Sequence, residues 1–542
     1  TNMRIAIVGG GAREVALARS LKKSSKCTAI IAIATHKNPA LQEYCVSYSV
    51  GNTEDNTSVV NFCKNEKADL VVVGPEAPLA NGVVDALEAV GIKCFGPTKF
   101  FAQVESSKQF ARELMQKYKI PGCPKFKNFA TTEGMAEFIE SLNDDYVVKA
   151  DGLMAGKGVK ISGAHLATPA DAIAFAQTLV DKGQRVVVEE KLEGEEFTLM
   201  SFCDGRTLVH LPPVQDYKRA YPDDKGPITG GMGSYSCGNF LLPFLTPNDV
   251  EAAKGVQERL AAALLAEAPQ GSGGFKGILY GKYACRRRGV AALDFNARFG
   301  DPEALNVLAI LRSDLVTILD AVVNGTLRRD MVELKAVSTV VKFAAPYGYP
   351  DKPLVGQTVE VEHAKSSNVF LASVNLVPGP EPQLLSTGSR TVAVIGVGPT
   401  LEIAERECEG EVRKVKGLFF HRADIATPPS VAAKVARQTE LRRVRLGVVG
   451  STRGSSLQPI LNAIQDGMLN ARVEVVVSNI ESAPILERAR VHGIPWVHIP
   501  GKGRVREDFD RDVTNALRAK KVDLVLLIGF MRIVSDQLCR DW

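Results

Sequence analysis

Apolar and polar positions along this chain repeat with periods that change several times. Over residues 3–104, short β-branched runs (RIAIVG, TAIIAIA, DLVVVG) alternate with amphipathic stretches near 14–22 and 82–90. Strand-length runs that alternate with helical periodicity predict a parallel sheet with crossover helices, a Rossmann-like unit. From about residue 105 the order changes: a helix is predicted over 107–118, hairpin-like strands around YVVKADGLMAGKGVKIS, a buried strand at RVVVEE and a late strand at AALDFNA. This second region runs to about 330. Residues 331–427 carry denser strand and turn signals and predict a smaller mixed domain. Pro428 and Pro429 open a charged stretch through 442 that reads as a linker. At 443 an α/β pattern starts again with VRLGVVG and reaches Trp542 without closing elements, as half a domain would. The expected fold class is therefore multidomain, α/β and α+β.

Composition narrows the function classes. At 542 residues the chain is long enough for three or four folding units, and 45% hydrophobic with 23% charged residues is ordinary globular composition. A net charge of +5 is too small and dispersed for a nucleic-acid footprint. The ten cysteines form no CxxC pair and no ligand spacing with histidine, which disfavours zinc and disulfides and points to a reducing cytoplasmic setting. The apolar run LVLLIGFM, starting at Leu524, is far short of the ~20 residues a membrane helix needs. A strand starting at Met3 leaves no room for a signal peptide.

The chemistry concentrates in loops that follow strands. Gly9, Gly10, Gly11, Ala12, Arg13 and Glu14 lie between a strand and a helix, where unpaired N–H groups favour an anion. As a dinucleotide fingerprint the loop fails, because Glu14 stands at the third glycine position and no carboxylate ends the next strand. Phosphate binding and a tight turn with a solvated Arg13 both fit. Gly74, Pro75 and Glu76 follow DLVVV at the carboxyl end of a predicted parallel strand, where α/β ligands sit, and an exposed Pro-rich turn fits equally. Lys149 ends one strand, and Lys157 sits in a glycine-rich turn with Gly152, Gly156 and Gly158. The spacing is not that of a Walker loop, but two cations on a strand-loop-strand flap suit a polyphosphate; a solvated hairpin is the alternative.

VVVEEKLEGEE joins a buried strand to a turn and can offer the backbone of Glu189, Glu190, Lys191 and Leu192 to a base edge and Glu196 to ribose, or be an acidic hairpin. Asp216, Tyr217, Lys218 and Arg219 form a predicted loop, followed by the glycine-rich GPITGGMG. In ALDFNARFGDPE, strand alternation places Asp294, Asn296 and Arg298 on one face, with Leu293 and Phe295 in the core. A carboxylate and an amide oxygen in a row suit magnesium completed by phosphate and water; a polar solvent-facing strand is the alternative.

Taken together, GGGARE, GPEAPL, SSKQFAR, VVKADGLMAGKGV, VEEKLEGEE, QDYKR, TGGMG and LDFNARFGDPE occur in the order of glycinamide ribonucleotide synthetase (phosphoribosylamine-glycine ligase). Residues 3–425 resemble this ATP-grasp family. The resemblance implies an N-terminal Rossmann-like domain (1–104), an ATP-grasp domain (105–330) and a small C-terminal ligase domain (331–427). It implies that ATP converts glycine to a glycyl phosphate, which the amine of phosphoribosylamine attacks. Lys108, Lys149, Gly156, Lys157 and Gly158 would hold ATP phosphates. Glu189, Glu190, Lys191 and Leu192 would hold adenine, Glu196 the ribose, Arg219 the nucleotide, and Asp294 with Asn296 a Mg²⁺ or Mn²⁺ ion. Gly10, Gly11, Arg13, Gly74, Pro75, Glu76 and Arg298 would serve glycine and phosphoribosylamine, and Lys149, Lys157, Asp294 and Arg298 would carry catalysis. Four positions depart from the family pattern: Asp294 replaces Glu, Ile228 replaces Asn, and Val15 and Tyr217 replace His.

Residues 443–542 resemble the N-terminal half of glycinamide ribonucleotide formyltransferase. The resemblance rests on Gly454, Ser455, Ser456, Leu457 and Gln458 after VRLGVV, on Ser478 and Asn479, on Arg506 and on GFMRIV. It implies that Gly454, Ser455 and Ser456 bind the ribonucleotide phosphate, and that Arg506, Met531, Ile533 and Val534 meet formyltetrahydrofolate. The family's catalytic Asn, His and Asp lie beyond the equivalent of Trp542, so formyl transfer is not expected of the chain as given. Another ATP-grasp carboxylate-amine ligase or carboxylase, and a catalytically weakened nucleotide-binding scaffold, are the competing readings. Small-molecule substrates, no nucleic acid and no membrane are expected.

Overall fold

The computed structural model describes residues 2–153, 158–361 and 368–542. It divides into two units, residues 1–435 and 436–542. The first unit opens with a parallel sheet of β1 (Met3–Val8), β2 (Cys27–Ala34), β3 (Ser47–Val50), β4 (Leu70–Val73) and β5 (Lys93–Phe95). The strand order is β3-β2-β1-β4-β5, so the order in which strands are added reverses between β1 and β4. Their carboxyl ends flank a crevice of the kind where ligands enter open α/β sheets, and the loops at Gly9 and Gly74 emerge there.

The second part holds two antiparallel sheets. One contains β6 (Phe126–Phe129), β7 (Tyr146–Ala150), β8 (Val159–Ile161) and β9 (Val186–Glu190) in the order β6-β9-β7-β8. Its residues Tyr146, Val148, Ala150, Val186 and Val188 pack under helices Met135–Ser141 and Pro169–Val180, so alternation turns Lys149 and Glu189 to the opposite face. The other runs Leu208–His210, Glu196–Asp204, Lys276–Cys285, Val290–Asn296.

The segment expected as a loop at 216–219 instead contributes strand. Gln215–Asp216 pairs with Gly233–Ser236, which pairs with Ser338–Pro346 in the third domain's sheet. The QDYKR and TGGMG motifs are thereby fastened to a strand more than 100 residues downstream. One hydrophobic cluster extends from Met3 to Ala426 and joins all three parts of the unit.

The stretch expected as a linker is helical over Pro428–Leu441. Paired prolines suit a first turn, whose N–H groups have no intrahelical partner, and the Ala-rich residues after them propagate it. Its first half belongs to the first unit: Lys434 meets Asp224 at 3.1 Å and Glu195 at 3.5 Å and lies 4.6 Å from the Tyr217 ring centre. Arg422, fully buried, sits 4.9 Å from the same ring and grips Asp424 and Asp224. Tyr217 is thus a platform for two cations.

The second unit is a parallel sheet ordered Trp496–His498, Ala471–Ser478, Val444–Val449, Leu524–Leu527. Leu524–Leu527 forms an edge with Leu524 and Leu527 exposed. No helix among the described residues is long and apolar enough to cross a membrane, and no disulfide joins cysteines among the described residues.

Arg422→Met would leave Asp424 without its buried partner and Asp224 with Lys434 alone. Because both carboxylates keep some solvent, the expected loss of stability is about 2–3 kcal/mol, below the usual cost of breaking a fully buried pair, and is read as a lower urea midpoint for the first unit.

Candidate active site

The strand Val290–Asn296 organises the site. Its register against Lys276–Cys285 slips between Lys282 and Tyr283, which pair with Asp294 and Ala292, so Leu293 is an unpaired bulge residue. Leu293, expected in the core, is half-buried for this reason, while Phe295 is buried as expected. The freed Leu293 carbonyl accepts hydrogen bonds from Arg112 Nη2 at 2.8 Å and Lys149 Nζ at 2.9 Å.

Both cations also engage Glu189. Arg112 Nε donates to Glu189 Oε1 at 2.7 Å, Arg112 Nη2 to Oε2 at 3.1 Å, and Lys149 Nζ lies 2.8 Å from Oε2. Burial alone would raise the Glu189 carboxyl, but Arg112 and Lys149 override it and hold it down at about 2. Burial pushes the Lys149 ammonium below its ordinary range, with Glu189 opposing the shift. The Glu189 side chain therefore serves the interior, whereas Glu190 ties the sheet edge by accepting from Lys125 N at 2.9 Å. Lys191 lies 3.6 Å from Asp145, and the Leu192 segment follows β9 directly.

At the end of the same strand, Arg298 Nη2 meets Glu105 Oε1 at 3.0 Å and Nε lies 3.4 Å from Glu76 Oε2. The Arg298 charge holds Glu76 below the usual carboxylate range, while burial raises Glu105. With its amide oriented to donate, Asn296 bonds Glu105 Oε1 at 3.0 Å and the Phe295 carbonyl at 3.1 Å, an assignment that follows from the surrounding acceptors. Glu105 also accepts from Ala297 N at 2.8 Å. The Asn296 amide oxygen is thereby oriented away from Glu105. The Asp294 carboxylate and this amide oxygen are both hard donors of the kind a small divalent cation takes. Among the described residues no cluster of three His, Cys, Asp or Glu side chains could hold a metal by itself.

The glycine loops are filled from within. Glu14 Oε2 accepts from Gly11 N at 2.6 Å and Oε1 from Arg13 Nε at 2.7 Å, while Arg13 Nη1 donates to the Phe299 carbonyl at 3.1 Å. Arg13 is buried, which overturns the solvated alternative. A Cβ at Gly74 would fall 1.8 Å from Glu14 Oε1, and one at Gly9 2.9 Å from Pro75, so the glycines are required by close approach of the two loops. Gly10 offers its carbonyl to Asn38 Nδ2 at 2.8 Å.

Around the cleft, Lys108 Nζ donates to Gly152 O at 3.1 Å and Gly158 O accepts from Ala150 N at 2.8 Å. Gly156 and Lys157 lie outside the described residues. Glu196 Oε2 pairs with Lys282 at 2.6 Å, and Arg219 Nη1 donates to Gly226 O at 2.9 Å. Burial raises Asp216 to about 6 despite Lys218 at 2.5 Å. Arg112, Glu105 and Glu303 are polar groups that motif reading missed; Glu303, buried, accepts from Tyr280 OH at 2.5 Å. Arg112 lies within SSKQFAR, but nothing in sequence spacing indicates that it faces Glu189 across 77 positions.

In the second unit, Gly454 has φ +62°, and Ser455 and Ser456 lead into helix Leu457–Gln465. Arg506 starts helix Arg506–Ala519 and is exposed, as are Met531 and Ile533, whereas Val534 packs on a small core.

Known proteins share these features. Residues 3–105, 106–304 and 339–428 match the N, ATP-grasp (A) and C domains of phosphoribosylglycinamide synthetase, and 444–542 match a formyl transferase family. The chain is 42% identical over 452 residues to the phosphoribosylamine–glycine ligase of Methanocaldococcus jannaschii, covering 81% of this chain and all of that protein. The structure of the Thermotoga maritima phosphoribosylamine–glycine ligase superposes with a TM-score of 0.66 at 27% identity, over 78% of this chain and all of that one. Biotin carboxylase of Campylobacter jejuni shares the fold at 11% identity, with a TM-score of 0.60 over 81% of this chain and 95% of its own.

Glu189 has a lower pKa folded than unfolded, so its stabilisation is present at neutral pH and disappears as pH falls from about 5 toward 2. Glu409, also held at about 2, contributes a parallel loss. In Glu189→Gln the slope of unfolding free energy against pH across this window is expected to be shallower than in the wild type, measured by urea titration at several pH values.

Proposed function

The chain belongs to the phosphoribosylamine–glycine ligase family, and from that premise we propose that it joins glycine to phosphoribosylamine at the expense of ATP, giving glycinamide ribonucleotide, ADP and phosphate in de novo purine synthesis. The observation that supports this most strongly is the strand Val290–Asn296, which lines up a buried cation pair at Leu293, two oxygen donors at Asp294 and Asn296, and Arg298 just beyond its end. This is the order that phosphate, metal and carboxylate require.

The chemistry needs each element. A carboxylate is a poor acyl donor. One glycine oxygen attacks the terminal phosphorus of ATP, the bond to the ADP oxygen breaks, and glycyl phosphate results. The amine nitrogen of phosphoribosylamine then attacks the glycyl carbon, phosphate leaves with its bridging oxygen, and the nitrogen loses a proton. Lys149, Lys108 and Lys157 hold nucleotide phosphates; the Glu189–Leu192 backbone holds the base, Glu196 the ribose and Arg219 the nucleotide. Arg298, braced by Glu76 and Glu105, orients the carboxylate of glycine, and the Gly10, Gly11, Arg13 and Gly74 to Glu76 loops border phosphoribosylamine. Mg²⁺ or Mn²⁺ on Asp294 and Asn296 would neutralise phosphate charge.

The second unit is read as a formyltransferase module. Gly454, Ser455 and Ser456 meet a ribonucleotide phosphate at a helix start, and Arg506, Met531, Ile533 and Val534 meet formyltetrahydrofolate. The setting is cytoplasmic, with small-molecule substrates.

Glycine labelled with ¹⁸O in its carboxylate is expected to pass one label into inorganic phosphate, and only when phosphoribosylamine is present to complete turnover; unlabelled phosphate would refute the ligase reading. Asp294→Ala is expected to lower ADP release by on the order of 10²-fold, as does removal of divalent ions with EDTA. Ile228→Asn would add one hydrogen bond to the nucleotide, worth ~0.5–1.5 kcal/mol, and is expected to lower the KM for ATP by about two- to tenfold in initial-rate assays.

A further inference from the structure

Lys149 has three N–H donors, and two are spent inside the protein, on Glu189 Oε2 and the Leu293 carbonyl. One donor remains for a ligand. Direction is not enough, however, because a lysine paired to a glutamate in a buried site is electrically neutral and exerts little pull on an anion. The charge balance is changed by Arg112. It takes both oxygens of Glu189, at 2.7 and 3.1 Å, and shares the Leu293 carbonyl with Lys149. Arg112 and Glu189 are each only 3% exposed, so neither is presented at the surface.

We propose that Arg112 is a positioning residue for nucleotide binding: by occupying Glu189 it leaves the charge of Lys149 available to a phosphate. This rests on reading Lys149 as a phosphate-binding residue. Two cations then share one carboxylate, and the cluster carries a net positive charge in a site of low polarity. Asp294 also bears on both cations, but it is half-buried and assigned to the metal. Glu189 has the complementary task of fixing where Lys149 points. The bulge at Leu293 completes the arrangement, since the residue without a partner in the register is the one whose carbonyl meets both cations.

The test compares KM for ATP, kcat and the dissociation constant of a non-hydrolysable ATP analogue with Mg²⁺ in the full chain. Arg112→Met is expected to weaken analogue binding and raise KM by at least about tenfold, with kcat within about threefold. Arg112→Lys, which keeps the charge, is expected to stay within about threefold of the wild type. The double variant Arg112→Met with Glu189→Gln restores the net charge and is expected to recover most of the lost affinity, which a merely structural role would not produce. Glu189→Gln alone is expected to bind the analogue more tightly than the wild type, and decides the matter if Arg112→Met fails to fold. Unchanged binding in Arg112→Met, a double variant no better than the single one, or weaker binding in Glu189→Gln would overturn the proposal. If Lys149→Met binds the analogue as the wild type does, the underlying reading of Lys149 fails instead.

Discussion

Three charged side chains that would each be costly to bury alone meet at one point, where the two cations share both a carboxylate and a backbone carbonyl, and the rest of the site depends on how that is possible. Arg112, Lys149 and Glu189 come from a helix and two strands of one sheet, while Leu293 belongs to the other antiparallel sheet. The contact is available because the strand Val290–Asn296 carries one residue more than its partner at this point. A bulge spends a ladder hydrogen bond and re-aims its neighbours. Here the released carbonyl accepts from two cations, which offsets part of their desolvation and joins the sheets where a nucleotide would lie between them.

The same strand shows how structural and functional charges are kept apart. Glu189 and Glu105 are both buried carboxylates, yet Arg112 and Lys149 drive the first far down while burial raises the second. Glu105 orients Asn296 and helps brace Arg298, so it acts on the site through its neighbours. Glu14 behaves similarly in the first loop, where its carboxylate satisfies Gly11 N and fills the gap under Gly74. Much of the negative charge near the cleft therefore has an internal cation or N–H as partner, and the anionic substrates meet a cleft whose own acids are largely committed.

The connection to the second unit has a comparable logic. Residues that read as a linker form the helix Pro428–Leu441, and Lys434 in its first half joins Arg422 on the Tyr217 ring. Tyr217 sits between Asp216 and Lys218, so this packing helps to set the loop beside the cleft. The strand pairing of Gln215–Asp216 through Gly233–Ser236 to Ser338–Pro346 anchors the same loop from its other side.

The order of strands and helices, the parallel character of the first sheet and the placement of Lys149, Asp294, Asn296 and Arg298 on or just beyond strands could all be read from residue periodicity, because alternation and helical repeat are local properties of a chain. The motifs, taken in order, also resemble those of the ligase family. The Leu293 bulge, the burial of Arg13, the pairing of Arg112 with Glu189 and the use of Glu105 to orient Asn296 could not be read that way. Each depends on which groups from distant segments arrive at the same buried point, and there the cost of desolvating a charge selects its partner. Sequence alone thus determined the elements and the kind of chemistry, whereas tertiary packing decided which charges face inward as supports and which remain for substrate.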